Sequence, residues 1–327
     1  MATSFKHSIL ITGGTSGLGY YAALEISRQS PNSQVIIASR SDPNAAAEAI
    51  NKQLGQTNVK FMKLDLSSLA NVRQFAQGWG DYQFPPISAL IFNAALQFPG
   101  KVDYTEDGFE KTFGISHVGH ALLFGLLRQY LTNEARIVIT SSGTHDPAQK
   151  SGLPDAVYTS AEGLAHPSGK MLTGPGRQHY TNAKLSNILY TYALDRRFRK
   201  INENSRKQWT VTAFDPGLMP GTGLARDASA FLRFLWNSVM PRITPLLRII
   251  ITKNVHTPQD SGASLARLAI GHDVEGVSGV YFEGRKEIKS SKDSYVEAKQ
   301  EDLWNWSVES IAIDEKEKTL FALKDLL

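Results

Sequence analysis

Short apolar runs alternate with stretches of helical periodicity along almost the whole chain, and no other feature restricts its fold as much. Strand-like runs are expected over residues 7–12, 34–38, 59–64, 89–92, 136–141, 210–214 and 279–282. Helical patterns separate most of them, over 17–29, 44–54, 69–79, 108–130 and 180–201. Strands and helices in alternation predict a parallel sheet with helices on both faces. The expected architecture is α/β: one Rossmann-type, doubly wound domain over 1–327, with about seven parallel strands. No repeat, low-complexity block or long linker divides it. Two segments break the pattern and are expected to build the substrate pocket. Residues 143–179, rich in Gly, Pro, Ser and His, read as a long loop. Residues 224–252 carry Phe231, Leu232, Phe234, Leu235, Trp236, Val239 and Met240, then Ile243 to Ile251, interrupted by Pro241 and Pro245. They suit a packed helical hairpin, a lid over a hydrophobic substrate, or a peripheral membrane contact.

Composition excludes several classes. The chain has no cysteine, so disulfides, thiolate catalysis and cysteine-based metal sites are out. The net charge of +4 is too modest to mark a nucleic-acid binder. A basic cluster at Arg196, Arg197, Arg199, Lys200, Arg206 and Lys207 reads as a solvated helix end. No run of about 18 uncharged apolar residues suggests a membrane span. Met1 to His7 lead directly into the first apolar run, so no signal peptide is expected and the reading is cytoplasmic, with peripheral membrane contact as an option. His117 and His120 sit three apart without nearby acids, so no metal site is expected. His145, His166 and His179 are expected to meet substrate or solvent.

The first strand ends in Thr12-Gly-Gly-Thr-Ser-Gly-Leu-Gly19, with Thr15, Ser16 and Leu18 between Gly13, Gly17 and Gly19. Glycines allow a sharp turn and close backbone approach, and the following helix aims its first N–H groups at a pyrophosphate. The second strand leads to Ser39 and Arg40. An acid here would hold ribose hydroxyls, whereas an arginine accommodates a 2′-phosphate through paired hydrogen bonds, so NADP(H) is expected over NAD(H). Asp65 and Leu66 follow the third strand, where the adenine would lie. Asn93, Ala94 and Ala95 follow the fourth, along the ribose.

Tyr180 and Lys184 are four apart and share one helix face. A phenol ionises near pH 10. A neighbouring ammonium is expected to lower that value, fitting the tyrosine to exchange a proton with a carbonyl oxygen during hydride transfer. At the exit of the fifth strand, Ser142, favoured by register over Ser141, is expected to polarise that oxygen.

Together these residues resemble the short-chain dehydrogenase/reductase superfamily over roughly Lys6 to Val308. The matching pieces are Thr12–Gly19, Asp65, Asn93 to Ala95, Ser142, Tyr180 with Lys184, and Asp215-Pro216-Gly217 with Thr222. The resemblance implies a catalytic serine, tyrosine and lysine, and places Pro216, Gly217 and Thr222 against the nicotinamide and its phosphates. Phe113-Gly-Ile-Ser-His-Val-Gly-His-Ala-Leu-Leu123 is similar to the branch of retinol dehydrogenases, WW-domain oxidoreductases and protochlorophyllide reductases. That branch implies a bulky lipophilic ketone, aldehyde or alcohol as substrate. One position departs: Ser116 stands where the family carries an asparagine that completes a proton relay. A carbon–carbon double-bond reductase and an idle NADP-binding sensor are the rival readings. The absence of cysteine counts against the first, and intact Tyr180 and Lys184 count against the second. Oligomeric state is not legible.

Overall fold

The computed structural model describes residues 5–221, 235–250 and 252–326. Its centre is an eight-stranded sheet in the order β3-β2-β1-β4-β5-β6-β7-β8. The strands are β1 (His7–Thr12), β2 (Ser33–Ser39), β3 (Val59–Lys63), β4 (Ile87–Phe92), β5 (Leu131–Thr140), β6 (Thr210–Asp215), β7 (Val280–Glu283) and β8 (Lys286–Ile288). The seven expected strands are present and parallel. An eighth, short strand extends the sheet. It pairs antiparallel with β7 across the two-residue turn Gly284–Arg285, with Gly284 at φ 55°. Its Lys-Glu-Ile sequence, with exposed Lys286 and Glu287 and a partly buried Ile288, has no apolar run to betray it.

The central strands read as continuous apolar runs because both faces are covered. Side chains alternate between two cores. Ile9, Ile11, Val35, Ile37 and Val138 enter one core, and Leu10, Ile36, Ile137 and Ile139 enter the other. The first core is closed by α1 (Gly17–Gln29) and α2 (Ala46–Leu54). The second is closed by α3 (Leu69–Asp81) and by the central helix, which runs as α4 (Lys111–Phe113), a π-turn (Gly114–Val118) and α5 (Gly119–Leu127). One continuous helix was expected there; the π-turn interrupts it at Ser116.

Residues 143–179 are not a plain loop. They include α6 (Ala161–Ala165), α7 (Gly169–Thr173) and the first turn of α8 (Gly176–Asn204). Beyond β6 come α9 (Thr244–Ile250), α10 (Pro258–Ile270), α11 (Glu297–Ile311) and α12 (Glu315–Phe321). Thr257 caps α10 by accepting from Asp260 N–H, and Pro258 starts the helix without losing a bond. The basic cluster is largely committed within the chain. Arg196 and Arg197 pair with Glu301, Arg199 pairs with Asp195, and Arg197 lies 4.0 Å from the Trp304 ring centroid. Among the described residues no helix is long and apolar enough to cross a membrane. Thr222 and the apolar residues Phe231, Leu232 and Phe234 lie outside the described residues.

Candidate active site

β1 lies between β2 and β4, so the chain reverses its winding direction there. A crevice opens at the C-terminal ends of the strands beside such a point, which is where open α/β sheets bind ligands. Here the crevice is a cleft of about 390 Å³. Its outer wall is Thr15, Ser16, Leu18, Ser39 and Arg40; its inner wall includes Asn93, Ala94, Ile115, Tyr180, Lys184 and Pro216.

The glycine turn is built for a phosphate. Gly13 and Gly17 have φ of 68° and 53°, in the region that disfavours side chains. A Cβ on Gly19 would lie 2.3 Å from the Gly13 carbonyl oxygen, so only glycine lets the helix start this close to the turn. Ser16 makes no side-chain cap to α1, which leaves the first-turn N–H groups directed at the cleft. Arg40 is exposed at the cleft mouth and makes no ion pair among the described residues. These features fit a dinucleotide phosphate, with one further cation placed for a second phosphate.

Other expected cofactor residues divide. Leu66 lines the cleft, whereas the Asp65 carboxylate accepts from Ser67 N–H and Oγ–H and so closes a turn. Asn93 Nδ2 donates to the Thr12 carbonyl at 2.9 Å, holding the exit of β4 against the glycine turn. Gly217 does not line the cleft; it packs against Asn254 and His256.

Thr12 and His120 form a connection that motif reading missed. Thr12 Oγ1 accepts from the backbone N–H groups of Asn93 and Ala94 at 2.9 and 3.0 Å and lies 2.8 Å from His120 Nε2. His120 Nδ1 lies 3.1 Å from the Ser116 carbonyl oxygen, which can only accept. The proton is therefore on Nδ1, and Thr12 donates to Nε2. Burial pushes His120 down to about 4, so the ring is neutral. The glycine turn, β4 and the π-turn are thereby tied at one hydroxyl. The four-residue spacing of Ser116 and His120 was the available signal. Ser116 itself is buried, and its hydroxyl has no hydrogen-bond partner among the described residues. No cluster of metal-ligating side chains exists among the described residues. His145 and His179 are buried, which corrects the expectation that they meet solvent or substrate, while His166 is exposed and pairs with Glu162.

The inner end of the cleft is stitched by β5 and α8. Ser141 Oγ donates to the Lys184 carbonyl at 2.7 Å, while Lys184 Nζ and Asn187 Nδ2 both donate to the Thr140 carbonyl, at 3.1 and 2.9 Å. These bonds set the register between strand and helix. With the Ser141 hydroxyl engaged, Ser142 is the serine that meets Tyr180, and its hydroxyl draws the tyrosine pKa down. That influence is outweighed. Burial first and the negative charge of Asp215 second push Tyr180 up to about 12. Lys184 is only 2% exposed, and burial pushes it down to about 8, with Asp215 acting in the opposite direction. Lys184 was expected to lower the tyrosine. Instead its ammonium lies 5.6 Å from the Tyr180 ring centroid, bonded to the Thr140 carbonyl, and burial dominates both groups.

The crossover topology and the cleft at its switch point define a Rossmann-type α/β protein. The amino-acid sequence matches the short chain dehydrogenase family over residues 7–161 and the AcuH dehydrogenase domain over residues 224–320. It is 30% identical over 312 residues to the polyprenol dehydrogenase of Homo sapiens, covering 93% of this chain and 84% of that protein. It is 32% identical over 323 residues to retinol dehydrogenase 14 of Mus musculus, covering 94% and 86%. The crystal structure of an uncharacterized protein from Mycobacterium Paratuberculosis superposes with a TM-score of 0.66 at 25% identity, covering 94% of this chain and 93% of that one. The chain belongs to the short-chain dehydrogenase/reductase family of oxidoreductases, in the branch that includes the polyprenol and retinol dehydrogenases.

Proposed function

We propose that this chain is an NADPH-dependent reductase of a bulky hydrophobic ketone or aldehyde, or catalyses the reverse oxidation. The observation that carries this reading is that Tyr180 and Lys184 line the inner end of a cleft whose mouth carries Arg40, with the Ser142 hydroxyl hydrogen-bonded to Tyr180. The names of the polyprenol and retinol dehydrogenases support a lipophilic substrate. Gly13, Thr15, Ser16, Gly17, Leu18 and Gly19 would hold the pyrophosphate of NADP(H), Arg40 its 2′-phosphate, Leu66 the adenine with Asp65 closing the turn beside it, and Asn93 and Ala94 the ribose. Pro216, which lines the cleft, would border the nicotinamide. When bound, the nicotinamide supplies or accepts the hydride. Ser142 orients the substrate oxygen. Tyr180, a phenol throughout the neutral range, gives that oxygen its proton in reduction. Lys184, charged below about pH 8, is placed to hold ribose hydroxyls and to favour the phenolate after transfer.

The test is NADPH consumption with a panel of long-chain and cyclic carbonyls. Tight NADPH binding without turnover on any of them would overturn the reading. Arg40→Asp is expected to reduce the preference for NADPH over NADH by roughly 10- to 100-fold, the worth of hydrogen bonds to a charged group. Titration of both nucleotides by fluorescence checks this, and an unchanged ratio refutes the assignment. Ser116→Asn restores the amide usual at this position and is expected to preserve or raise kcat. Complete loss of turnover in a folded variant would show that residue 116 is not the relay position.

A further inference from the structure

We propose that His145 is a positioning residue of this reaction: its ring bridges the backbone of Ser142 to the serine-rich turn at 290–294, which is itself fastened to α8. The inference rests on the reading of Ser142 and Tyr180 as reacting partners. His145 ends the short helical turn Gly143–His145 that follows Ser142 and is 1% exposed. Its Nδ1 lies 2.7 Å from the Ser142 carbonyl oxygen. A carbonyl only accepts, so Nδ1 carries the proton. Nε2 is then bare, and it accepts from Ser291 N–H at 3.0 Å, across 146 residues of chain. Both ring nitrogens are thus engaged by backbone groups, while the ring packs on Tyr281 with centroids 5.0 Å apart at 71°. Burial holds the ring below its ordinary ionisation, opposed by the Ser142 bond, Asp146 and Asp215, so it is the neutral imidazole at neutral pH.

The far end of the bridge is anchored by hydroxyls whose direction the chemistry fixes. Ser294 Oγ donates to the Ser291 carbonyl at 2.6 Å. With its one proton engaged there, it accepts from Ser290 Oγ at 2.7 Å, which in turn accepts from the Tyr192 hydroxyl at 2.6 Å. Tyr192 belongs to α8, the helix that carries Tyr180 and Lys184. Gln300 Nε2 of α11 closes the turn by donating to the Ser294 carbonyl at 2.6 Å. A chain of directed bonds therefore runs from α8 through 290–294 and His145 to Ser142. On the other side of Ser142, Ser141 Oγ bonds the Lys184 carbonyl at 2.7 Å. The serine is thus held from both sides by the helix that bears the tyrosine, and its hydroxyl is hydrogen-bonded to Tyr180. Placement matters at this point, since an error of about 1 Å can cost roughly 10²-fold in rate. His145 acts through Ser142 by fixing where that hydroxyl stands.

His145→Phe keeps a ring against Tyr281 and removes both bonds. It is expected to lower kcat for carbonyl reduction by about 10- to 100-fold. NADPH affinity should change little, because the glycine turn and Arg40 form the outer part of the cleft. His145→Asn keeps a donor for the Ser142 carbonyl but has no atom at the place of Nε2, so its kcat should fall in the same direction. Tyr192→Phe cuts the chain of bonds at α8. Its own smaller fall in kcat should vanish once His145 is replaced, the double variant matching His145→Phe within about twofold, whereas independent effects would multiply. Full activity in His145→Asn overturns the bridge, and so do effects of His145→Phe and Tyr192→Phe that multiply. If His145→Phe does not accumulate, His145→Asn takes its place in the same cycle. Nitrogen-15 NMR of the unaltered protein gives a reading that needs no turnover. His145, assigned by the signal lost in a His145 variant, is expected as the Nδ1–H form with Nε2 unprotonated at neutral pH. The opposite tautomer overturns the proposal. If no carbonyl is reduced by the unaltered protein, the proposed function fails, yet the tautomer still decides whether the bridge exists.

Discussion

Tyr180→Phe is expected to lower kcat for carbonyl reduction by about 10²- to 10⁴-fold, the usual contribution of a positioned general acid. The substitution removes one oxygen and retains the ring. The ring lies within reach of Lys184 and is half-buried on α8, so its packing is kept. Among the described residues, Ser142 is the side chain that hydrogen-bonds the tyrosine, so the loss to stability should stay near 1 kcal/mol. NADPH affinity and KM should change little, because the hydroxyl acts on the substrate oxygen during transfer. The pH dependence of the unaltered protein follows from the same geometry. Tyr180 ionises near 12 and stays a phenol through neutral pH, while Lys184 loses its charge above about 8. Reduction is therefore expected to hold level through neutral pH and to decline above about pH 8. Turnover in Tyr180→Phe within tenfold of the unaltered protein would remove the tyrosine from the mechanism.

Gly19→Ala should damage folding and cofactor binding together. On an ordinary helix surface this change stabilises by about 0.5–1 kcal/mol, since glycine loses more backbone freedom on folding. Here the new Cβ would lie 2.3 Å from the Gly13 carbonyl oxygen and 2.8 Å from Asn93 Nδ2. The first neighbour is backbone and cannot rotate away, and the second is bonded to the Thr12 carbonyl. Overpacking of this kind costs about 1–3 kcal/mol, which outweighs the helical gain. Relief requires the glycine turn to move off α1, and that movement widens the phosphate site. The expected result is a lower denaturation midpoint and at least about tenfold weaker NADPH binding, measured by urea unfolding and fluorescence titration. A variant as stable as the parent, with unchanged affinity, would show that the turn can relax.

The elements with strong local signals were legible in the sequence. The parallel strands appear where their apolar runs lie, and α1 spans the expected residues Gly17–Gln29. β8 and the π-turn at Ser116 were not legible. β8 is short and exposed and pairs only through a tight hairpin. The π-turn sits in a segment whose periodicity reads as one uninterrupted helix. The choice between Ser141 and Ser142 shows the same division. Register favoured Ser142; only the tertiary structure shows that the Ser141 hydroxyl is engaged by the Lys184 carbonyl, across 43 residues of chain.

Sequence alone determined the residue types of the candidate site and their order, because a glycine turn, a helix face and a strand exit are local patterns. Tertiary structure alone decided their electrostatics. Tyr180 rises where a nearby lysine was expected to lower it, because desolvation depends on everything packed around the group. Asp215 was one letter of a turn motif until β6 set it beside β5, where its carboxylate stands against Gly143. Burial and through-space charge are properties of neighbours distant in sequence, and no reading along the chain contains them.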